Sequence, residues 1–158
     1  MKRLLIGVLF LGMTVTAGFA FAGEKARDGR FIAYDNGTVL DTQTNLMWAA
    51  KDNGSTITWA NAKSYCGNYR GGGYTDWRMP TLDELAGLYD AAKTYSPAGE
   101  YHGYFNVHLT ELIQLSSCCA WTSETRGFEA AIFIFYDGTR NWIGQSGYYL
   151  ALPVRSSK

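Results

Sequence analysis

The chain has 158 residues, with 14 basic against 14 acidic side chains, and 15% of its residues are aromatic. It contains no run of Lys or Arg that could neutralise a phosphate backbone, which argues against nucleic acid as a partner. Eighteen glycines and three prolines favour a compact, turn-rich domain over a disordered segment.

The first 22 residues have the pattern of a cleavable signal peptide. Lys2-Arg3 precede an apolar run over residues 4–21, which ends in the small-x-small motif Ala20-Phe21-Ala22. Cleavage after Ala22 would leave 136 residues, enough for one domain, with 12 basic against 14 acidic side chains. A retained membrane anchor is the weaker alternative, because small residues dilute the short apolar run. We therefore expect a periplasmic or secreted protein with no membrane span after cleavage.

The N-terminal half of the remaining chain alternates short β-favouring runs with turn residues. Polar residues 23–30 predict a flexible lead-in to a domain at 31–156. The domain is predicted to open with three strands and two turns, which are strands 31–34, 38–41 and 46–49 and turns 35–37 and 42–45.

Two helices are predicted in the middle of the chain. Thr58 is a candidate N-cap for a helix over 59–65, with Gly67 as its end. Trp59, Ala62 and Cys66 share one face of this helix, which would point inward. A glycine loop at 71–73 follows.

A second helix is predicted to start at Thr81, which has the capping-box spacing to Glu84. Its apolar face would include Leu85.

The C-terminal part predicts a long ordered loop and then a sheet. Residues 94–117 are rich in Tyr and Gly, and a short helix over 108–115 is one option within them. The strands predicted after this loop are 120–123, 130–136, 139–143 and a closing strand at 148–155, with an Asp137-Gly138 hairpin turn. The element order predicts an α+β domain that ends in a sheet meander.

Three cysteines fall in the exported part of the chain, where disulfides form. Pairing of Cys66 with Cys118 or Cys119 would close a loop of about 50 residues and contribute ~3–4 kcal/mol. The third thiol would be free, intermolecular, or part of a bond between the two adjacent cysteines. No metal site is expected, because there is no CxxC motif and His102 and His108 are six residues apart on a predicted loop.

Several segments carry a distinctive combination of motifs. These are D-x-x-T-N-L-x-W at 41–48, W-x-x-A-x-x-Y-C at 59–66, G-x-x-D-W-R-M-P-T-x-x-E-L at 73–85, Trp121-Thr122-Ser123 and Pro153-Val154-Arg155. Together they resemble the Lcl C-terminal domain family, formerly the domain of unknown function DUF1566, over about residues 31–155.

The resemblance implies a C-type-lectin-like fold, with two helices packed on a mostly antiparallel twisted sheet and a long ordered loop. It also implies binding of sulfated polysaccharides, as in an adhesin with a collagen-like stalk. Two features depart from the family. No Gly-X-Y stalk is present, and Val154-Arg155-Ser156 replaces a terminal segment that contains cysteine in many relatives. Their disulfide from the helix to the last strand therefore cannot form, and Cys118 or Cys119 would replace the missing partner of Cys66.

The most distinctive motif residues are predicted to be structural. Asp76 and Arg78 flank Trp77 and would tie a loop to the core through charge-assisted hydrogen bonds. The capping box accounts for Thr81 and Glu84 without a functional role.

Turn chemistry also accounts for Asp35, Asn36 and Asp41, although oxygen-rich turns can bind calcium. The calcium-dependent sugar-binding motifs of C-type lectins, such as Glu-Pro-Asn, are absent, and no metal or cofactor is predicted.

Polar and aromatic residues cluster around the last two turns, where flat rings, amides and guanidinium groups suit sugars or acidic groups. The predicted ligand-binding residues are Arg126, Arg140, Asn141, Trp142, Gln145, Tyr148 and Tyr149.

These features are compatible with three functions. The favoured hypothesis is a non-catalytic binding module for carbohydrate or another polyanionic or envelope ligand. A structural or assembly component of an envelope complex is the alternative. An oxidoreductase like the formylglycine-generating enzymes is less favoured, because no nucleophile stands beside a base in the sequence.

Overall fold

The structure is a computed structural model that describes residues 22–98 and 103–157. The predicted signal peptide occupies residues 1–22 and thus lies almost entirely outside the described residues. The elements are β1 (Glu24–Asp28), β2 (Phe31–Tyr34), β3 (Thr38–Asp41), β4 (Leu46–Ala49), α1 (Trp59–Asn68), α2 (Leu82–Ala86), β5 (Cys119–Arg126), β6 (Glu129–Ile134), β7 (Thr139–Gly144) and β8 (Val154–Ser156). This arrangement confirms the α+β class.

The N-terminal strands form a five-stranded antiparallel sheet in the order β1-β2-β3-β4-β8. Strands β2, β3 and β4 have the predicted bounds. The turn between β2 and β3 depends on Gly37, whose φ of 79° suits glycine, and on Asn36, whose side chain accepts a hydrogen bond from the Thr38 amide at 3.2 Å. Local turn chemistry therefore fixes the register of these strands.

The lead-in that was predicted to be flexible is instead strand β1, which pairs with β2 from Asp28 opposite Phe31 to Glu24 opposite Tyr34. The residues of β1 are mostly exposed, and Arg27 binds Glu24 with an Nη2–Oε2 distance of 2.9 Å. Main-chain pairing needs no apolar face, so a charged sequence can form the edge strand of a sheet. The prediction was wrong because it relied on hydropathy.

The late strands form a separate three-stranded sheet in the order β5-β6-β7, joined by hairpins. The turn between β6 and β7 contains Asp137 and Gly138 as predicted, with a φ of 77° at Gly138. However, β6 ends at Ile134, which pairs with Thr139, so the loop spans residues 135–138 and the strand predicted over 130–136 is two residues too long.

The predicted closing strand at 148–155 does not form a further strand of this sheet, and only Leu150 reaches it, through one isolated parallel bridge with Ala120 of β5. Only β8 is a strand, and it pairs with β4 in the other sheet. Tyr149 forms an isolated bridge with Ile57, and Pro153 lies between the bridge and β8. Proline has no amide hydrogen to donate, so a continuous ladder through 148–155 is broken there.

Both helices form at the predicted places. Helix α1 continues past the predicted 59–65 and past Gly67 to Asn68, and its Ala62 and Cys66 side chains are buried. Thr58 lies at the N-cap position, but its side chain makes no capping hydrogen bond. The glycine loop forms a short 3₁₀ turn over Gly71–Gly73. Helix α2 begins after Thr81 with the predicted capping box.

The long loop between α2 and β5 is ordered by tertiary hydrogen bonds in its described part. The Tyr95 hydroxyl donates to the Ile113 carbonyl at 2.6 Å and accepts from the Leu115 amide at 3.0 Å. The Gln114 amide donates to the Ala50 carbonyl at 2.9 Å. These partners occupy amides that a helix would pair with residues 110 and 111, so the helix considered over 108–115 does not form.

The main core lies between the two sheets and α2, and it contains the fully buried side chains Trp48, Leu85, Phe133 and Leu152. The opposite face of the three-stranded sheet packs on α1, where Trp121 and Ile132 meet Ala62 and Cys66 in a second cluster. One helix thus packs on each face of this sheet, against β5 and β6, whereas β7 is mostly exposed. Burial on both faces explains why β6 is apolar from Ala130 to Ile134.

The predicted pairing of Cys66 with Cys118 or Cys119 is wrong. The disulfide joins Cys118 to Cys119, which was the option considered for the leftover thiol, and Cys66 is a buried free thiol. Adjacent residues need no long loop to meet, so the loop-closure stabilisation expected for a Cys66 disulfide does not apply. Burial raises the pKa of the Cys66 thiol to about 12, which disfavours the reactive thiolate.

Candidate ligand-binding cleft

Hydrogen bonds connect the segment around Asp76 to β8, an edge strand of the five-stranded sheet. Arg155 on β8 is buried and donates two hydrogen bonds to Asp76, with distances of 2.6 Å from Nε to Oδ1 and 3.1 Å from Nη2 to Oδ2. These hydrogen bonds lower the pKa of Asp76. The Arg155 guanidinium carbon also lies 3.9 Å from the centroid of the Tyr74 ring. Asp76 therefore anchors its segment to β8.

Trp77 connects the same segment to the glycine turn. Its side chain is buried, and its indole Nε1 donates to the Gly71 carbonyl at 3.1 Å. The ring packs edge-on against Tyr69, with the centroids 5.0 Å apart. Through these two contacts, Trp77 connects the glycine turn to the C-terminal end of α1.

Arg78 and Glu84 join this segment to α2. The Arg78 guanidinium binds both Glu84 carboxylate oxygens, at 2.8 Å from Nη1 and 2.6 Å from Nη2. Burial opposes ionisation of Glu84, but hydrogen bonds from Arg78 and from Thr81 outweigh it and lower the pKa of this carboxyl. The Arg78 amide also donates to the Val154 carbonyl at 2.9 Å. Residues 76–84 thus form a rigid wall between β8 and α2.

A cleft of about 490 Å³ lies between this wall and α1. Helix α1 contributes Trp59, Lys63 and Gly67, which are spaced four residues apart and share one face. The other lining residues come from the wall and from β5; they are Trp77, Arg78, Met79, Thr81 and Ser123. We refer to this surface as the cleft.

Trp59 and Lys63 give the cleft an aromatic face beside a positive charge. The Trp59 indole is held by a 2.9 Å hydrogen bond from Nε1 to the Thr122 carbonyl. The Lys63 ammonium lies 5.2 Å from the centroid of the Trp59 ring, within the range of a cation–π contact. Among the described residues, no carboxylate lies within 4 Å of Lys63, so its charge is available to a ligand.

Arg70 adds a further cation near one end of the cleft, outside the lining that holds Lys63 and the Glu84-paired Arg78. It is exposed, and its Nη1 donates to the carbonyls of Gly67, at 3.0 Å, and Tyr69, at 2.7 Å. These bonds hold the guanidinium beside the end of α1 without neutralising it.

The structure separates the predicted ligand-binding residues onto two faces of the three-stranded sheet. Arg140 and Trp142 lie opposite Phe133 and Ala131, on the face that packs near α2, whereas Asn141 lies opposite Ile132 on the other face. Alternation along a strand causes this division, so the seven residues that cluster in sequence do not form one cluster in space.

Arg126, Arg140 and Trp142 do share a surface, together with two carboxylates. The Arg126 guanidinium carbon lies 4.5 Å from the Trp142 ring centroid, and its Nε lies 2.8 Å from Glu129. Arg140 binds Asp83 at 3.0 Å. We call these five residues the outer strip. Each of its arginines already has a carboxylate partner.

The remaining three predicted residues have different surroundings. The Gln145 side chain donates to the carbonyls of Gly127 and Glu129, both at 3.3 Å, and braces the β5–β6 hairpin. Tyr149 packs edge-on against Trp121, with the centroids 5.0 Å apart. Tyr148 is 65% exposed. Only Tyr148 presents most of its side chain to solvent.

The acidic turn residues serve the local fold. Asp35 accepts a hydrogen bond from the Gly23 amide at 3.0 Å, and Asp41 accepts one from the Gln43 amide at 3.0 Å.

In residues 22–98 and 103–157, no group of three or more His, Cys, Asp or Glu side chains is arranged to hold a metal ion. Neither helix of this part of the chain has the length and hydropathy needed to span a bilayer.

Sequence reasoning missed the cleft. It assigned Trp59 to the inward face of α1 and did not consider Lys63. The spacing of Trp59, Lys63 and Gly67 could have indicated a common face, but the opposite wall comes from residues that are distant in sequence. No local pattern links Trp59 to Met79 or to Ser123.

These features define an α+β domain of two antiparallel sheets that carries an aromatic, cationic cleft beside its first helix. The family model of the Lcl C-terminal domain matches residues 37–155, and the chain belongs to this family. A comparison with curated proteins gives no match.

Proposed function

We propose that this protein is an exported, non-catalytic binding module whose cleft holds a carbohydrate that carries acidic groups. The observation on which the proposal rests is the pairing of the Trp59 ring with the Lys63 ammonium, which no described carboxylate neutralises. An aromatic face suits the C–H surface of a sugar, and the neighbouring cation suits a sulfate or a carboxylate.

The size and the lining of the cleft support this ligand class. Its volume of about 490 Å³ falls within the range of about 300–1,000 Å³ that is common for ligand sites. Met79 and Trp59 supply apolar surface, while Thr81 and Ser123 supply hydroxyl groups that can exchange hydrogen bonds with a sugar.

The family also supports the proposal. A C-type-lectin-like fold, which the resemblance implies, agrees with the two helices and the antiparallel sheets of this α+β domain. In such a fold the scaffold does not determine the function, so the ligand has to be inferred from the site.

Binding is favoured over catalysis by the side chains that line the cleft. In the described part of the chain, these supply two cations, hydroxyls and aromatic surface, but no carboxylate, imidazole or thiol that could act as a base or a nucleophile. The alternative of an oxidoreductase would need a reactive cysteine, whereas Cys66 is buried and its pKa is raised.

Retention of purified protein on heparin and fucoidan columns at low salt tests the proposal. We expect the wild type to be retained and Trp59→Ala to bind about tenfold more weakly, a loss of ~1.4 kcal/mol. Trp59→Phe keeps an aromatic face and should retain most of the binding.

Trp142→Ala is the matched control, because it removes the tryptophan of the outer strip. Failure of the wild type to bind either column or any acidic glycan on an array would contradict the proposal. A larger loss for Trp142→Ala than for Trp59→Ala would place the site on the outer strip instead.

The alternative of an assembly component is favoured by a different observation. Phe128, at the tip of the β5–β6 hairpin, is 95% exposed, and an exposed apolar side chain of this size is typical of protein contacts. Pull-down of envelope proteins with the wild type and with Phe128→Ser tests this function. Loss of a specific partner only in Phe128→Ser would support it.

A further inference from the structure

Two hydrogen bonds connect the residue that precedes strand β1 to the turn between β2 and β3. The Gly23 nitrogen donates to the Asp35 carboxylate oxygen Oδ1 at 3.0 Å, and the Asp35 amide donates back to the Gly23 carbonyl at 3.0 Å. One residue on, Glu24 lies opposite Tyr34 in the ladder. Gly23 therefore has a fixed position at the edge of the sheet.

The Asp35 carboxylate is the hydrogen-bond acceptor for the Gly23 nitrogen. The neighbouring Glu24 carboxylate is occupied by Arg27, at 3.1 Å and 2.9 Å. The other charged group nearby on the strand is Lys25, which is exposed. Among the described residues, none other than Asp35 provides a carboxylate within hydrogen-bonding distance of this nitrogen.

The residue type at position 23 permits this close approach. A Cβ atom built on Gly23 would lie 3.1 Å from the Asp35 oxygen Oδ2, which is closer than an ordinary van der Waals contact. A side chain there would require the Asp35 carboxylate to shift by a few tenths of an ångström. Glycine leaves the carboxylate free to approach the nitrogen directly.

We propose that signal cleavage between Ala22 and Gly23 creates an α-ammonium group that the Asp35 carboxylate binds, so that processing itself fastens β1 to the sheet. A signal peptidase hydrolyses the amide bond between the Ala22 carbonyl carbon and the Gly23 nitrogen. The oxygen of water adds to the carbonyl carbon, which becomes a carboxylate on the released leader, and the nitrogen takes up protons to become an ammonium group.

The same nitrogen then carries a positive charge at a position 3.0 Å from the carboxylate in the structure. Before cleavage only the acceptor of this hydrogen bond is charged, whereas after cleavage both partners are charged, which adds a coulombic attraction between them. The added attraction acts between the start of β1 and the β2–β3 turn, because Gly23 and Asp35 lie there.

Two measurements test the proposal. First, the full chain is expressed with its leader, and the exported protein is analysed by intact mass and by its N-terminal peptide. We expect the chain to begin at Gly23.

Second, hydrogen exchange of the β1 amides is compared between chains that begin at Gly23 and at Ala22, each released from a cleavable fusion. Both chains carry one α-ammonium group, but in the longer chain it lies one residue further from Asp35. We expect β1 to exchange about threefold more slowly in the chain that begins at Gly23, as for an exposed ion pair.

Asp35→Asn should remove this difference between the two chains, whereas Asp137→Asn, in a distant exposed turn, should preserve it. A different first residue in the exported protein would overturn the proposal. So would equal β1 exchange in the two wild-type chains.

Discussion

The cleft and the outer strip both pair a tryptophan with a basic side chain, and they differ in what surrounds the charge. In the cleft, Lys63 lies 5.2 Å from the Trp59 ring with no described carboxylate within 4 Å. In the outer strip, Arg126 lies 4.5 Å from the Trp142 ring but also binds Glu129 at 2.8 Å. Residue composition alone therefore does not identify a binding surface, because a charge already paired within the protein offers less to a ligand.

The arginine side chains that stabilise the two regions also differ in their exposure to solvent. The wall of the cleft depends on Arg155, whose side chain is 7% exposed, whereas Arg126 of the outer strip is 59% exposed. An exposed ion pair contributes little, because water screens it and both side chains lose freedom. We expect substitutions behind the cleft to affect stability and similar substitutions in the outer strip to be nearly neutral.

The largest effect is expected for Arg155→Met. This change removes both hydrogen bonds to Asp76 and the packing on Tyr74, and we expect it to lower the free energy of unfolding by about 2–3 kcal/mol. Urea denaturation measures the loss. Arg126→Met, the same change in the outer strip, should cost less than about 1 kcal/mol. Equal losses of unfolding free energy in the two variants would contradict the expectation that the buried Arg155 stabilises the fold more than the exposed Arg126.

A smaller effect that depends on pH is expected for Glu84→Gln. Glutamine can still cap α2, but it loses the charge that binds Arg78, so we expect a loss of about 1 kcal/mol at neutral pH. Because the pKa of Glu84 is lowered in the folded protein, its contribution is present above the pKa of the unfolded chain, about 4.3. The contribution disappears as pH falls through the folded pKa.

Unfolding curves of the wild type and of Glu84→Gln should therefore approach each other below about pH 4. Glu129→Gln provides the matched change in the outer strip and should cost about 0.5 kcal/mol or less. A difference between the wild type and Glu84→Gln that stays constant from pH 7 to the acid range would contradict an ionic role for Glu84.

Features with local causes could be predicted from the sequence. The capping box of Thr81 and Glu84 depends on a spacing of three residues, and the Asp137-Gly138 hairpin depends on a glycine that accepts positive φ. Strands β2 to β4 follow from apolar runs between turns. In each case the deciding interaction lies within a few residues.

Features with distant partners could not be predicted in this way. The helix considered over 108–115 does not form because Tyr95 and Ala50 bind its amides. The predicted strand 148–155 is divided between distant partners, and β8 joins β4 rather than β7. The cleft has the same origin, since α1, the wall and Ser123 meet only in the folded chain.

Lys63→Gln makes the smallest change and tests the free charge directly. The substitution keeps a polar side chain of similar length on α1 but removes the positive charge, so we expect heparin affinity to fall about threefold, or ~0.6 kcal/mol. The slope of log affinity against log salt should also become shallower, because one cation fewer releases counterions. Lys25→Gln on β1 makes the same charge change at the opposite edge of the five-stranded sheet. If both variants lost equal affinity, net charge rather than the cleft would govern binding; a loss confined to Lys63→Gln would mean that the unpaired ammonium beside Trp59 is part of the site.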